Sequence, residues 1–203
     1  APLFLQLGYG SDFLAVTEQA ATTTSSNSLT EVLRGTGYWE MVLDTGGIPW
    51  LPAGIRFVSH APTVLATMLL ASVAVVSLTL DGLRERRFLL LVLMAGIVAL
   101  AAGYAGPISG PFAGAIQDLL DGPLAPARNV HKFVPLVALP LAVGVAHGLD
   151  LWARRCATWE RPRWFVRHRF ATGIVVAAVL LAAATPALLG ELAPPGAFEK
   201  VPT

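Results

Sequence analysis

The chain has 203 residues and a formal net charge of +1 at pH 7, with 55% apolar residues, only 13% charged and a mean hydropathy of +0.64. That balance exceeds what a water-soluble domain carries, so water is not the main solvent of this chain. Its fourteen Lys and Arg residues are split among separate stretches and form no single patch, and no nucleic-acid partner is indicated.

Residues 1–10 show no initiator Met, no basic n-region and no small-residue cleavage site, so they do not read as a signal peptide. Residues 1–7 have the composition of the end of an earlier span. The expectation is a fragment that lacks its N-terminal part, because an outward-facing start without an export signal needs upstream helices.

Residues 1–61 are expected to form an outward-facing arm with a short interfacial helix. A Thr/Ser/Asn cluster at 22–28 precedes Leu29, Thr30, Glu31, Val32, Leu33, Arg34 and Gly35. Ser28 with Glu31 three residues on has capping-box spacing, and Gly35 is placed to close a helix at its C-terminal side. Tyr38, Trp39, Trp50 and Phe57 follow, rings of the kind that settle at the headgroup level; a sugar-binding platform is the other reading.

Four apolar blocks of membrane-spanning length come next: residues 62–80, 88–104, 133–152 and 170–189. Within lipid every backbone amide needs an internal partner, so each block is expected to be helical. The fold class expected is an all-α membrane protein, a polytopic helical bundle of about four transmembrane helices plus short interfacial helices, with the four-span region at 62–189.

Nine of the fourteen basic residues fall in two short loops, 81–87 and 153–169, which the positive-inside rule places in the cytoplasm. Anionic headgroup contact accounts for these arginines, and an acidic cytoplasmic partner is the alternative. The arm, the loop 105–132 and the tail 190–203 then face outward. Cys156, the single cysteine, lies in a cytoplasmic loop and offers neither a disulfide nor a cysteine metal site within the chain.

The outward loop 105–132 is the most informative stretch. Phe112, Ala115, Ile116 and Leu119 sit at helical spacing, which predicts an apolar face on the membrane or on neighbouring helices, with Gln117, Asp118 and Asp121 turned to water. Two carboxylates there admit a metal pair or a general base, or else a cap and a solvated face. Arg128, Asn129, His131 and Lys132 then precede the third block. Arg128 offers a bidentate fork and Lys132 a point charge, with His131 able to give or take a proton; helix N-terminal amides would add to an anion site. Snorkelling of Arg128 and Lys132 to lipid phosphates explains the same residues without a substrate. His147, within a span, is expected to face the bundle interior in a polar contact with another helix.

Two strings, SLTEVLRGTGYW at residues 28–39 and GPLAPARNVHKF at residues 122–133, resemble the large membrane arabinofuranosyltransferases of actinobacterial cell-wall synthesis, of the alpha-(1->3) branching type. The resemblance covers most of residues 10–150, whereas residues 159–203 contribute hydropathy only. It implies part of a C-type glycosyltransferase fold in the cytoplasmic (inner) membrane. The implied donor is decaprenyl-phosphate arabinofuranose and the implied acceptor an arabinan, with transfer on the outer side. It places the donor phosphate at Arg128, Asn129, His131 and Lys132, with Arg34, Tyr38 and Trp39 as further substrate-binding candidates. The catalytic acid of such enzymes lies in a first outward loop, upstream of Ala1, so no catalytic residue is assigned within the chain. No cofactor is required by the resemblance, and a divalent metal ion is compatible with it.

The competing reading is a non-catalytic polytopic membrane protein, a transporter segment or a scaffold, in which Pro140, Gly144 and His147 of the third block carry the weight. The other three blocks hold no ionisable residue in their cores, which disfavours a charged translocation path.

Overall fold

The computed structural model describes residues 19–38, 41, 44–45, 48–49, 51–158 and 163–192. Trp39 and Trp50, residues 1–7 and most of the tail therefore lie outside the described residues, as do the side chains of Cys156 and of the loop arginines from Arg161 to Arg169. In chain order the elements are α1 (Ala20–Thr23), α2 (Leu29–Arg34), β1 (Asp44–Thr45), β2 (Ile48–Pro49), α3 (Pro52–Ser59), α4 (Ala61–Thr79), α5 (Arg86–Ala101), α6 (Ala113–Asp121), α7 (Val134–Thr158) and α8 (Arg163–Leu188). Two 3-10 turns, Ala125–Ala127 and Val130–Phe133, join α6 to α7.

The structure is helical, as the apolar blocks dictate. One small departure is β1 with β2, an antiparallel pair in which Asp44 faces Pro49 and Thr45 faces Ile48. Among the described residues, two helices are long and apolar enough to cross a membrane by length and composition: α4, and the stretch Val130–Arg155 in which the second 3-10 turn runs into α7. The second block forms α5, of 16 residues. The fourth lies within α8, whose described apolar part is Gly173–Leu188.

The chain divides into two compact units. The first comprises Ala1–Trp39 and Asp81–Ala142, the second Glu40–Leu80 and Val143–Thr203. In the first, α5 meets the start of α7 at Gly96, where an added Cβ would stand 2.8 Å from Leu136 Cβ and from Val137 Cγ2. Hydrogen is the only substituent that fits, and the close approach lets Leu93, Leu100 and Val137 bury themselves around it.

α2 obeys its sequence signals. Ser28 Oγ accepts a hydrogen bond from Glu31 N at 3.3 Å, and Gly35 takes the left-handed conformation, φ 72°. Thr36 N then donates to Glu31 O at 2.9 Å, which closes the helix in a Schellman arrangement. The reciprocal half of the capping box is missing. Glu31 instead turns its carboxylate to Arg34 and to the Thr36 hydroxyl.

In the second unit, α4 and α7 come together through small residues. A Cβ on Gly144 would strike the Ala74 carbonyl, and one on Gly148 would strike Ser77 Oγ. Small residues at such contacts let backbones approach closely, which matters where lipid removes the hydrophobic drive to pair. α8 ends on Gly190, also at φ 72°, with Glu191 N donating to Pro186 O at 2.9 Å. α3 starts with Pro at its first turn, where the missing amide costs no helical bond. It is tied down by Ala53 N to Glu191 O at 3.0 Å and by Arg56 Nε to the Glu191 carboxylate at 2.5 and 2.7 Å.

Candidate functional site

Helix ends supply the framework of the site. The last carbonyls of α5 run out of helical donors: past the turn at Gly103 the Tyr104 amide returns to Ala101 O at 3.0 Å, and Leu100 O and Gly103 O are left to other partners. The polar run at 22–28 supplies the donors. Asn27 Nδ2 donates to Leu100 O at 3.0 Å, Thr24 Oγ1 lies 2.9 Å from Gly103 O, and Gln117 Nε2 reaches the same Gly103 O at 2.8 Å. Thr23, Thr24 and Asn27 are all completely buried. Each such bond contributes about 1 kcal/mol net, and a buried carbonyl left without one would cost more.

The same arm holds the loop before α7. Thr23 Oγ1 donates to Arg128 O at 3.0 Å, and the amide of Ala20 donates to Asp121 Oδ1 at 2.9 Å. Arg128 is only 7% exposed. Its Nε lies 3.1 Å from Asp121 Oδ1 and 3.3 Å from Leu120 O, and Nη2 donates to Asp121 O at 3.3 Å. The guanidinium thus satisfies both the Asp121 carboxylate and the closing carbonyls of α6, a favourable place for a cation.

Beyond it Asn129 caps the 3-10 turn, its side-chain oxygen accepting from His131 N at 3.3 Å. His131 Nε2 lies 3.2 Å from Thr23 O, a carbonyl, so this nitrogen carries the proton. The ring of Tyr38 meets the His131 ring edge-on, with centroids 4.8 Å apart and planes at 87°. Lys132 is exposed and forms no ion pair among the described residues. Arg34 points elsewhere: its Nη1 lies 2.8 and 3.1 Å from the two Glu31 oxygens, and its side chain is almost wholly covered.

Of the residues singled out from sequence, the fold therefore gathers Arg128, Asn129, His131, Lys132 and Tyr38 around one turn. Arg34 belongs to a separate cluster with Glu31 and Thr36. Trp39 lies outside the described residues. Gln117, expected to face water, instead hydrogen-bonds inward, because α6 buries Ala113 and Leu120, half-covers Ile116 and Gln117 between them, and leaves Phe112, Ala115 and Leu119 exposed. Asp121 is likewise engaged, by Arg128 and the Ala20 amide, and among the described residues no three His, Cys, Asp or Glu side chains gather as metal ligands. His147 is buried as expected, yet its Nε2 has no hydrogen-bond partner among the described residues.

Asn27 Oδ1 also lacks a hydrogen-bond partner among the described residues, and a Cβ on Gly37 would stand 2.7 Å from it. The roles of Thr23, Thr24, Asn27 and Gln117 escape the sequence reading. The clustering of Thr, Ser and Asn at 22–28 is the signal they leave, and it reads as a helix cap.

Comparison with known proteins covers the whole chain. It is 34% identical over 206 residues to an alpha-(1->3)-arabinofuranosyltransferase of Mycobacterium tuberculosis, which takes in 96% of this chain and 14% of that relative. It is 35% identical over 201 residues to the alpha-(1->3)-arabinofuranosyltransferase of Mycolicibacterium smegmatis, with 94% of this chain and 14% of the relative covered. The chain thus spans about 14% of the length of the curated relatives it matches. No solved structure matches it. The family match extends over residues 1–203, wider than the stretch that carries the two strings, and the chain belongs to the family described as alpha-(1->3)-arabinofuranosyltransferase, N-terminal GT-C domain.

Proposed function

We propose that this chain is part of the membrane domain of a glycosyltransferase that moves arabinofuranose from a polyprenyl-phosphate donor to cell-wall arabinan. In this reading α4, α5, α7 and α8 are four spans of the cytoplasmic membrane. The loops at 81–87 and 153–169 lie in the cytoplasm, and the α5–α7 loop faces outward, where the acceptor grows. α5 is the shortest of the four, rising about 24 Å against a hydrocarbon core of about 30 Å, and it crosses by drawing on the residues beyond Ala101 or by local thinning of the bilayer.

The observation that carries the reading is an exposed ammonium on a turn held rigid from behind, within a chain whose full length matches the family. Arg128 is neutralised by Asp121, so the local excess positive charge rests on Lys132. A polyprenyl phosphate keeps its tail in lipid and its charge at a helix end, and the start of α7 offers that junction. Lys132 meets the phosphate as a point charge, and the imidazole of His131 stands next to it in sequence. Arg128 and Asn129 hold the turn that presents them. Stabilising the phosphate as the sugar–phosphate bond breaks is the chemistry these groups supply.

The test is transfer of labelled arabinose from decaprenyl-phosphate arabinofuranose to an arabinan acceptor by membranes holding the complete protein. Lys132→Ala is expected to lower transfer at normal protein level, with Lys132→Arg restoring much of it. Unchanged transfer in Lys132→Ala would remove the donor phosphate from this turn.

A further inference from the structure

The second unit carries an exposed apolar edge where an ordinary folded surface would be polar. α3 buries Ala53 and Gly54, but on its other side Ile55 is 54% exposed and Val58 53%. Three residues apart, these two side chains share one face of the helix. Beside them, at the end of α8 that Glu191 fastens to α3, Leu188, Leu189 and Leu192 are more than half exposed.

This edge is continuous with a flank that already faces lipid if α4 spans the membrane. His60 alone separates α3 from α4, and Leu65, a turn into α4, is 69% exposed. An open apolar groove of about 290 Å³ between α4 and α8, lined by Leu65, Ala66, Leu69, Val175, Val179 and Ala182, extends the same surface. The polar side of α3 is narrow and holds Arg56, paired with Glu191, whereas Ser59 stands one turn on from Ile55 with its hydroxyl donating back to Ile55 O at 2.6 Å. A short helix with an apolar edge, a neutralised charge and a covalent link to a span is the form of an in-plane interfacial anchor.

We propose that α3 lies in the plane of the membrane surface, with Ile55, Val58 and the adjoining Leu188, Leu189 and Leu192 immersed at the boundary of the acyl chains. Arg56 then sits at headgroup level, and the Arg56–Glu191 pair sets the depth of α3 relative to the end of α8. The proposal rests on the membrane-domain reading above.

The experiment uses the complete protein in vesicles of phosphatidylethanolamine and phosphatidylglycerol, with its other cysteines replaced and a nitroxide attached at Ile55→Cys, Val58→Cys, Asp118→Cys or Leu69→Cys, Asp118 being an exposed residue of α6. Collision with oxygen, which concentrates in lipid, is compared with collision with a water-soluble nickel chelate. The expected result is an oxygen-to-chelate ratio several-fold higher at 55 and 58 than at 118, and high at 69. A ratio at 55 and 58 as low as at 118, or shielding of both sites from both reagents by protein, overturns the proposal. A low ratio at 69 overturns the membrane-domain reading instead. Ile55→Trp, quenched by brominated acyl chains only if α3 is immersed, checks the result without the nitroxide.

Discussion

The end of α5 in the first unit and the α4–α7 contact in the second are held by opposite means. In the first, the end of α5 and the turn before α7 are joined through an arm of buried Thr and Asn side chains that donate to carbonyls the helices leave open. In the second, α4 and α7 meet through Gly144 and Gly148 against Ala74 and Ser77, where the contact consists of backbone proximity. The first arrangement tolerates changes of volume better than changes of polarity. For the second the order is reversed, since there is no space to yield and almost no polar bond to lose.

The sharpest way to break this contrast is Gly144→Leu. Its side chain has to displace the Ala74 backbone, and destabilisation of about 3 kcal/mol is expected, read as faster amide exchange through α4 in the complete protein. Gly173→Leu, at a position with nothing within 4 Å, is the control and should change exchange little. Next comes Arg128→Met, which nearly keeps volume but leaves the Asp121 carboxylate with the Ala20 amide alone and takes a donor from the Leu120 and Asp121 carbonyls. A loss of about 2–3 kcal/mol is expected, seen as raised exchange across residues 19–24 and 120–128.

Asn27 separates polarity from size more finely. Asn27→Ala should cost about 1–2 kcal/mol through the lost bond to Leu100 O. Asn27→Asp, nearly the same shape, should cost more, because it sets an anion against that carbonyl. If the two variants exchange alike around residues 98–104, the hydrogen bond is not what holds this end of α5. The smallest stability effect is expected for Lys132→Ala, within about 0.5 kcal/mol, and that makes its transfer activity interpretable.

Local signals were the legible ones. The capping of α2 by Ser28 and its closure at Gly35 depend on a few consecutive residues, and both stand as read. The helical nature of the apolar blocks follows from hydropathy in the same way. The face of α6 was not legible. Phe112, Ala115, Ile116 and Leu119 are at helical spacing, but so are Ala113, Ile116, Gln117 and Leu120, and only tertiary packing decides which stripe is covered. Arg128 shows a related gap. Its residue type suits a phosphate fork, but its partner, Asp121, and the Thr23 hydroxyl that holds its carbonyl are fixed by contacts across 7 and 105 positions of sequence.

The position of the buried Asn27 oxygen has a consequence for how this family can diversify. Gly37 leaves the room in which that oxygen sits, so the two positions share one small volume. A relative that carries alanine at the equivalent of Gly37 is expected to carry serine or a smaller residue at the equivalent of Asn27, and to recruit its donor for the end of α5 from elsewhere. The pair should therefore covary in an alignment of the family, whereas Thr24 and Gln117, which both reach Gly103 O, are free to be lost one at a time.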